Sequence, residues 1–102
     1  MAGIRVHSQQ GNDHDRPFDK GIDGDSISAQ SVNALIDSAF ASLPRRVRDD
    51  SANQVTKLKA MVKRSAGTVL QGSGYGRNFL DEDMSDGWHI DVEVSGSVRL
   101  TD

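Results

Sequence analysis

Cysteine is absent from all 102 residues, which excludes disulfides, thiolate zinc sites and cysteine nucleophiles and fits a reducing compartment. Aromatic residues are few, 5% of the chain: Phe18, Phe40, Tyr75, Phe79 and Trp88. With 35% hydrophobic residues the chain can build one modest core, so residues 1–102 are expected to form a single domain. No stretch approaches the roughly 20 apolar residues of a membrane-spanning helix, and Met1 to His7 lacks a hydrophobic run of signal-peptide length. A cytoplasmic protein without membrane contact is the resulting expectation. Ser, His and Asp occur without a Gly-x-Ser-x-Gly elbow or a comparable context. No catalytic residue is therefore assigned, and no cofactor is expected.

What is present starts with the C-terminal segment, Gly87 to Thr101. Ile90, Val92, Val94, Gly96, Val98 and Leu100 fall on even positions; His89, Asp91, Glu93, Ser95, Ser97, Arg99 and Thr101 fall on odd ones. Side chains alternate across a strand, so the even residues form a covered apolar face and the odd ones a face in water. A three-residue loop at Ser95-Gly96-Ser97 would pair Val94 with Val98 and Val92 with Leu100, keeping the faces clean. A single strand from Trp88 to Thr101 would run roughly 45 Å, well beyond the ~24 Å of a 16-residue covering helix. The β-hairpin is the better match, and a continuous strand is the alternative.

Two helices supply the cover. Ser26 to Leu43 carries the stripe Val32, Leu35, Ile36, Ala39, Phe40 and Leu43, with Asp25, Ser26 or Ser28 as cap and Pro44 as stop. Pro44 to Arg48 links it to a second helix, about Ser51 to Ala66, with the stripe Ala52, Val55, Leu58, Met61, Val62 and Ala66. Asp49, Asp50 or Ser51 caps that helix, Lys63 and Arg64 suit its C-terminus, and Gly67 can take the left-handed stop. Gly3 to His7 reads as a short strand, possible at a sheet edge, and Thr68 to Gln71 as another. Ser8 to Asp25 is polar and turn-rich, and Asn78 to Asp86 is an acidic connection with room for one helical turn. The fold class expected is α+β, with two helices on one face of a small antiparallel sheet and a C-terminal β-hairpin.

Charge is segregated along the chain. The formal net charge is -3, yet residues 44–66 hold Arg45, Arg46, Arg48, Lys57, Lys59, Lys63 and Arg64 against Asp49 and Asp50. Those basic groups complement the acidic flanks of the same chain or of a neighbouring copy. A domain built for nucleic acid is usually basic overall.

Several stretches carry possible chemistry. Asp19 to Asp25 begins like a calcium loop, but Gly21, Ser26 and Gln30 stand where an oxygen ligand, an apolar residue and a glutamate belong. Asp13-His14-Asp15, with His7 and His89, offers ligand types for a transition metal. Adjacent residues rarely converge on one ion, so the stretch reads as a polar loop and no metal ligand is assigned. The glycines of Gly72-Ser73-Gly74-Tyr75-Gly76-Arg77 could crowd backbone N–H groups around a phosphate, with Arg77 adding charge and Tyr75 a stacking face. Lys57 and Arg64, a heptad apart on the second helix, would extend that site towards a nucleotide or nucleic acid. The stretch departs from the P-loop, having no Gly-Lys-Ser/Thr.

The first helix has an unusual back. Ser31, Ala34, Ser38 and Ala41 replace the Lys and Glu of an ordinary solvated face, so another backbone can approach closely there. Two functions compete. One is a small non-catalytic interaction protein or assembly subunit, acting as a homo-oligomer and through a partner protein. The other is a binder of a phosphate-bearing ligand at residues 72–77. Folding of residues 8–25 over the small-residue face would remove the first.

Overall fold

The computed structural model describes residues 1–72 and 77–102, with the backbone alone at Arg77. In chain order the elements are β1 (Gly3–Gln10), β2 (Phe18–Asp23), β3 (Ser26–Ser28), α1 (Ala29–Ala41), α2 (Arg45–Asp50), α3 (Ala52–Arg64), β4 (Val69–Gln71), β5 (Arg77–Asp83), a 3-10 turn at Ser85–Gly87, β6 (Trp88–Ser95) and β7 (Ser97–Thr101). Among the described residues these strands form two sheets. One has the order β2-β1-β6-β5, antiparallel throughout; the other has the order β3-β7-β4, with β3 parallel and β4 antiparallel to β7.

The α+β class holds, and the even-position series is the core. Ile90, Val92, Val94, Val98 and Leu100 are buried, beside Ile4 and Val6 of β1 and Ile27 of β3. Helix α1 covers β1 and β6 with Val32, Ile36 and Ala39, while Leu35 and Phe40 pack at the margin. Helix α3 lies against α1 and β5 and buries Val55, Leu58 and Val62. Each of the larger side chains contributes about 1.5–3 kcal/mol by leaving water. Of the capping candidates, Ser28 accepts the Ser31 N–H at the start of α1. Ser51 precedes α3, but its buried hydroxyl accepts the Ser85 N–H at 3.0 Å, tying the helix start to the 3-10 turn. Gly67 takes the left-handed stop at φ 90°.

The connectivity differs from the sequence reading in ways that matter for the site. Strands β6 and β7 follow one another, yet β6 pairs with β1 and β5 while β7 pairs with β3 and β4. Val94 and Val98 are thus not cross-strand partners. The chain bends at Gly96, with φ 68°, and passes from one sheet to the other, keeping Val94 before it and Val98 after it inside. Strand β1 is central rather than at an edge, because Ile4 and Val6 face the helices while both of its backbone edges find partners. Residues 8–25 are not spread over α1: they finish β1 and form β2, which pairs with β1 from Gly3↔Asp23 to Ser8↔Phe18. The link after Pro44 contains α2, which buries Val47 and directs Arg48 Nη1 to the carbonyls of Ala41 and Leu43. The acidic connection is an edge strand, β5, before its turn at Ser85–Gly87.

Candidate functional site

The outer face of the four-stranded sheet, away from the helices, carries the chemistry. Register places Asp19, His7, Asp91 and Asp81 in one row across β2, β1, β6 and β5. The adjoining rows bring Gln9, His89 and Asp83 together on one side, and Arg5 and Glu93 on the other. This face was expected to lie in water. His7 and Asp91 instead are buried, with 1% and 6% of their surface exposed. They are the polar core of the face, packed among Glu93, His89 and Asp81.

Asp91 sits between two imidazoles. Its Oδ2 is 2.9 Å from His7 Nε2, and its Oδ1 is 2.9 Å from His89 Nδ1. Asp81 Oδ1 lies 3.8 Å from the same His89 Nδ1, and Glu93 Oε1 lies 3.6 Å from His7 Nδ1. The rings of His7 and His89 stand edge to face, 6.4 Å between centres. His7 is close enough to Asp91 for an ion pair, yet neither of its ring nitrogens makes an aligned hydrogen bond. That is costly for a group so buried.

The tautomer of His89 is fixed from outside the row. The Gly11 N–H donates to the Gly87 carbonyl at 2.8 Å, and Gln10 Nε2 donates to the Asp86 carbonyl at 3.0 Å. These bonds hold the Gly11 carbonyl 3.2 Å from His89 Nε2. A carbonyl only accepts, so Nε2 carries hydrogen. In the neutral ring Nδ1 is then a bare lone pair facing two carboxylates. It needs either a proton or a cation there.

The titration of the cluster follows from this crowding. Burial and the neighbouring Asp91 push Asp81 up to about 6 from its ordinary 3.8. Burial alone would lower His89, but Asp91, the Gly11 carbonyl and Asp81 outweigh it and raise the ring above 6.5. Burial likewise opposes ionisation of Asp91, and contacts from His7, Asp81 and His89 reverse that and hold it far below the usual carboxylate range. Arg5 and Glu93 face the cluster from the next row, and Asp83 lies opposite His89.

A pH prediction follows for the protein in a chelating buffer. Asp91 contributes stability above about pH 4 that is lost as pH falls through its lowered folded value. Asp81 and His89 hold protons more tightly folded than unfolded, so their contribution is lost as pH rises through about 6 and beyond. The melting temperature should therefore be higher near pH 5 than near pH 8, and Asp81→Asn should flatten that decline. A melting temperature that climbs steadily from about pH 5 to 8 would contradict the cluster.

The residues singled out from sequence fall elsewhere. Gly74, Tyr75 and Gly76 lie outside the described residues. Arg77 is the first residue of β5, opposite Val94. The Gly72 N–H donates to the Gly96 carbonyl at 2.7 Å, and a Cβ at Gly72 would overlap the Val94 carbonyl, so this glycine permits a close backbone approach. Lys57 Nζ lies 3.6 Å from Glu82 Oε1, while Arg64 is exposed at the end of α3. Ser31, Ala34, Ser38 and Ala41 are all exposed on α1; Ser31 also meets Ser28 at 2.7 Å as part of the cap. The sequence marks His89 and Asp91 as strand neighbours. It does not reveal that His7 and Asp81 flank them, because parity gives the face and not the order of strands. The chain matches no protein-family model, no curated protein and no solved structure.

Proposed function

We propose that this is a small non-catalytic interaction protein that associates with its own copies, and with a partner protein, through the outer face of α1. The observation that carries the reading is that this face lies open: Ala34, Ser38 and Ala41 are exposed. Residues 8–10 finish β1 and residues 18–23 form β2, in the sheet against the inner face of α1 and not over its outer face. Among the described residues the exposed large hydrophobics are Met1 and Val69, neither on this helix. Association here therefore draws on close approach of two backbones rather than on a large apolar patch, and is weak and concentration-dependent. Two-fold symmetry sets the helix antiparallel to its copy, with Ala34 of each against Ala41 of the other.

Solution mass across a concentration series tests this. Wild-type protein should rise above the monomer mass at high micromolar concentration. Ala34→Arg and Ala41→Arg should each return it to monomer with an unchanged far-ultraviolet spectrum. A wild-type chain that stays monomeric throughout sinks the reading.

A further inference from the structure

We propose that His89 and Asp91, with Asp81 on the open side, form a binding site for one borderline first-row divalent cation, for which Zn2+ is the probe. The site is independent of the α1 face and lies on the opposite side of the sheet.

Three observations converge. His89 Nδ1 faces Asp91 Oδ1 and Asp81 Oδ1 and, with Nε2 committed to the Gly11 carbonyl, is the nitrogen on which a cation would replace the proton. Histidines that ligate metals are held in this way, with the far N–H on a backbone carbonyl and the near nitrogen left bare. His7, 1% exposed, has two ring nitrogens without an aligned hydrogen bond, and its Nε2 lies beside the other oxygen of the same carboxylate. That contact holds the carboxylate with its Oδ1 towards His89.

The spacing also fits. Ligand atoms of Asp81, His89 and Asp91 lie within 4.8 Å of one another, while those of His7 group with Asp91 and Glu93 on the other side of the carboxylate. Two donors about 2.0–2.1 Å from a tetrahedral ion are about 3.3–3.4 Å apart. His89 Nδ1 lies 2.9 Å from Asp91 Oδ1 and 3.8 Å from Asp81 Oδ1, on either side of that spacing.

Donor type selects the ion. Imidazole nitrogen with carboxylate oxygen and no thiolate suits Zn2+ and its first-row neighbours; Mg2+ and Ca2+ prefer all-oxygen shells. Entry is from the Asp81 side, where that side chain is 49% exposed and His89 is 18% exposed. Glu93, beside His7 Nδ1, orients the buried ring from behind.

Calorimetric titration with ZnCl2 at neutral pH should find one ion per chain, with MgCl2 silent. On binding, the His89 Nδ1 resonance should move. His89→Ala and Asp81→Asn, both at partly exposed positions, should each weaken Zn2+ by about tenfold or more. His14→Ala, in the loop after β1, should not. Asp91→Asn should abolish binding; if that variant does not fold, the ring resonances of the wild type and the two milder variants decide. Absence of binding at about millimolar Zn2+, or binding lost in His14→Ala and kept in His89→Ala, overturns the site and leaves a proton on His89 Nδ1.

Discussion

Val92→Asp should lose most of the stability of the fold. Val92 is fully buried on β6, paired with Val6 of β1 and Leu80 of β5, under the helical layer. A carboxylate there meets only apolar neighbours and no counter-charge. Its uncompensated burial costs about 3–5 kcal/mol, against a total of about 5–15 kcal/mol for a domain. Urea unfolding should show the midpoint collapse, and calorimetry at room temperature a largely unfolded population. Glu93, the next residue, points to the opposite face with its side chain 26% exposed. Glu93→Gln removes a partly screened charge and should change stability by less than about 1 kcal/mol. Equal effects from the two substitutions would mean that the faces of β6 are assigned the wrong way round.

Gly96→Val should be the second most damaging change, although Gly96 is exposed and makes no core contact of its own. Its φ of 68° is a conformation that a β-branched residue avoids. A Cβ would also stand 3.1 Å from Ala2 Cα and 3.2 Å from Ala2 Cβ, at the start of the chain. Left-handed geometry costs a side-chain-bearing residue roughly 1–2 kcal/mol, and the contact with Ala2 adds to it. The Gly96 carbonyl also receives the Gly72 N–H, so a shift at the bend propagates into the end of β4. Gly11→Val is the control. Gly11 has φ 52° but nothing within 4 Å of an added Cβ, so it should show the backbone cost alone. If Gly96→Val unfolds at the same urea concentration as wild type, the chain does not turn there, and β6 and β7 run on as one strand.

These two positions separate what each level of description decides. Parity over Ile90 to Leu100 determines which side chains go inside, because the twofold alternation of a strand is local and each residue carries its face with it. The stripe from Val32 to Leu43, the Ser28 cap, the stop at Pro44 and the turn at Gly67 are local in the same sense, and both long helices are legible from them. The bend at Gly96 is a different matter. Gly96 permits a hairpin, a continuous strand or a passage between sheets. The choice depends on where β1, β3, β4 and β5 offer unpaired backbone, which no local pattern contains. The site depends on the same choice. His89 and Asp91 are two residues apart and share a face on any strand, so their pairing is written in the sequence. His7 and Asp81 lie 84 and 10 residues from Asp91 along the chain. They reach it only because β6 is inserted between β1 and β5, in a register set by the packing of Val6, Val92 and the half-buried Leu80 on the other face. Sequence alone therefore determined the residue types, their faces and the helices that cover them. Tertiary pairing alone decided that a polar row becomes a buried cluster, because backbone hydrogen bonding between distant strands carries no residue-specific signal until apolar packing has fixed the register.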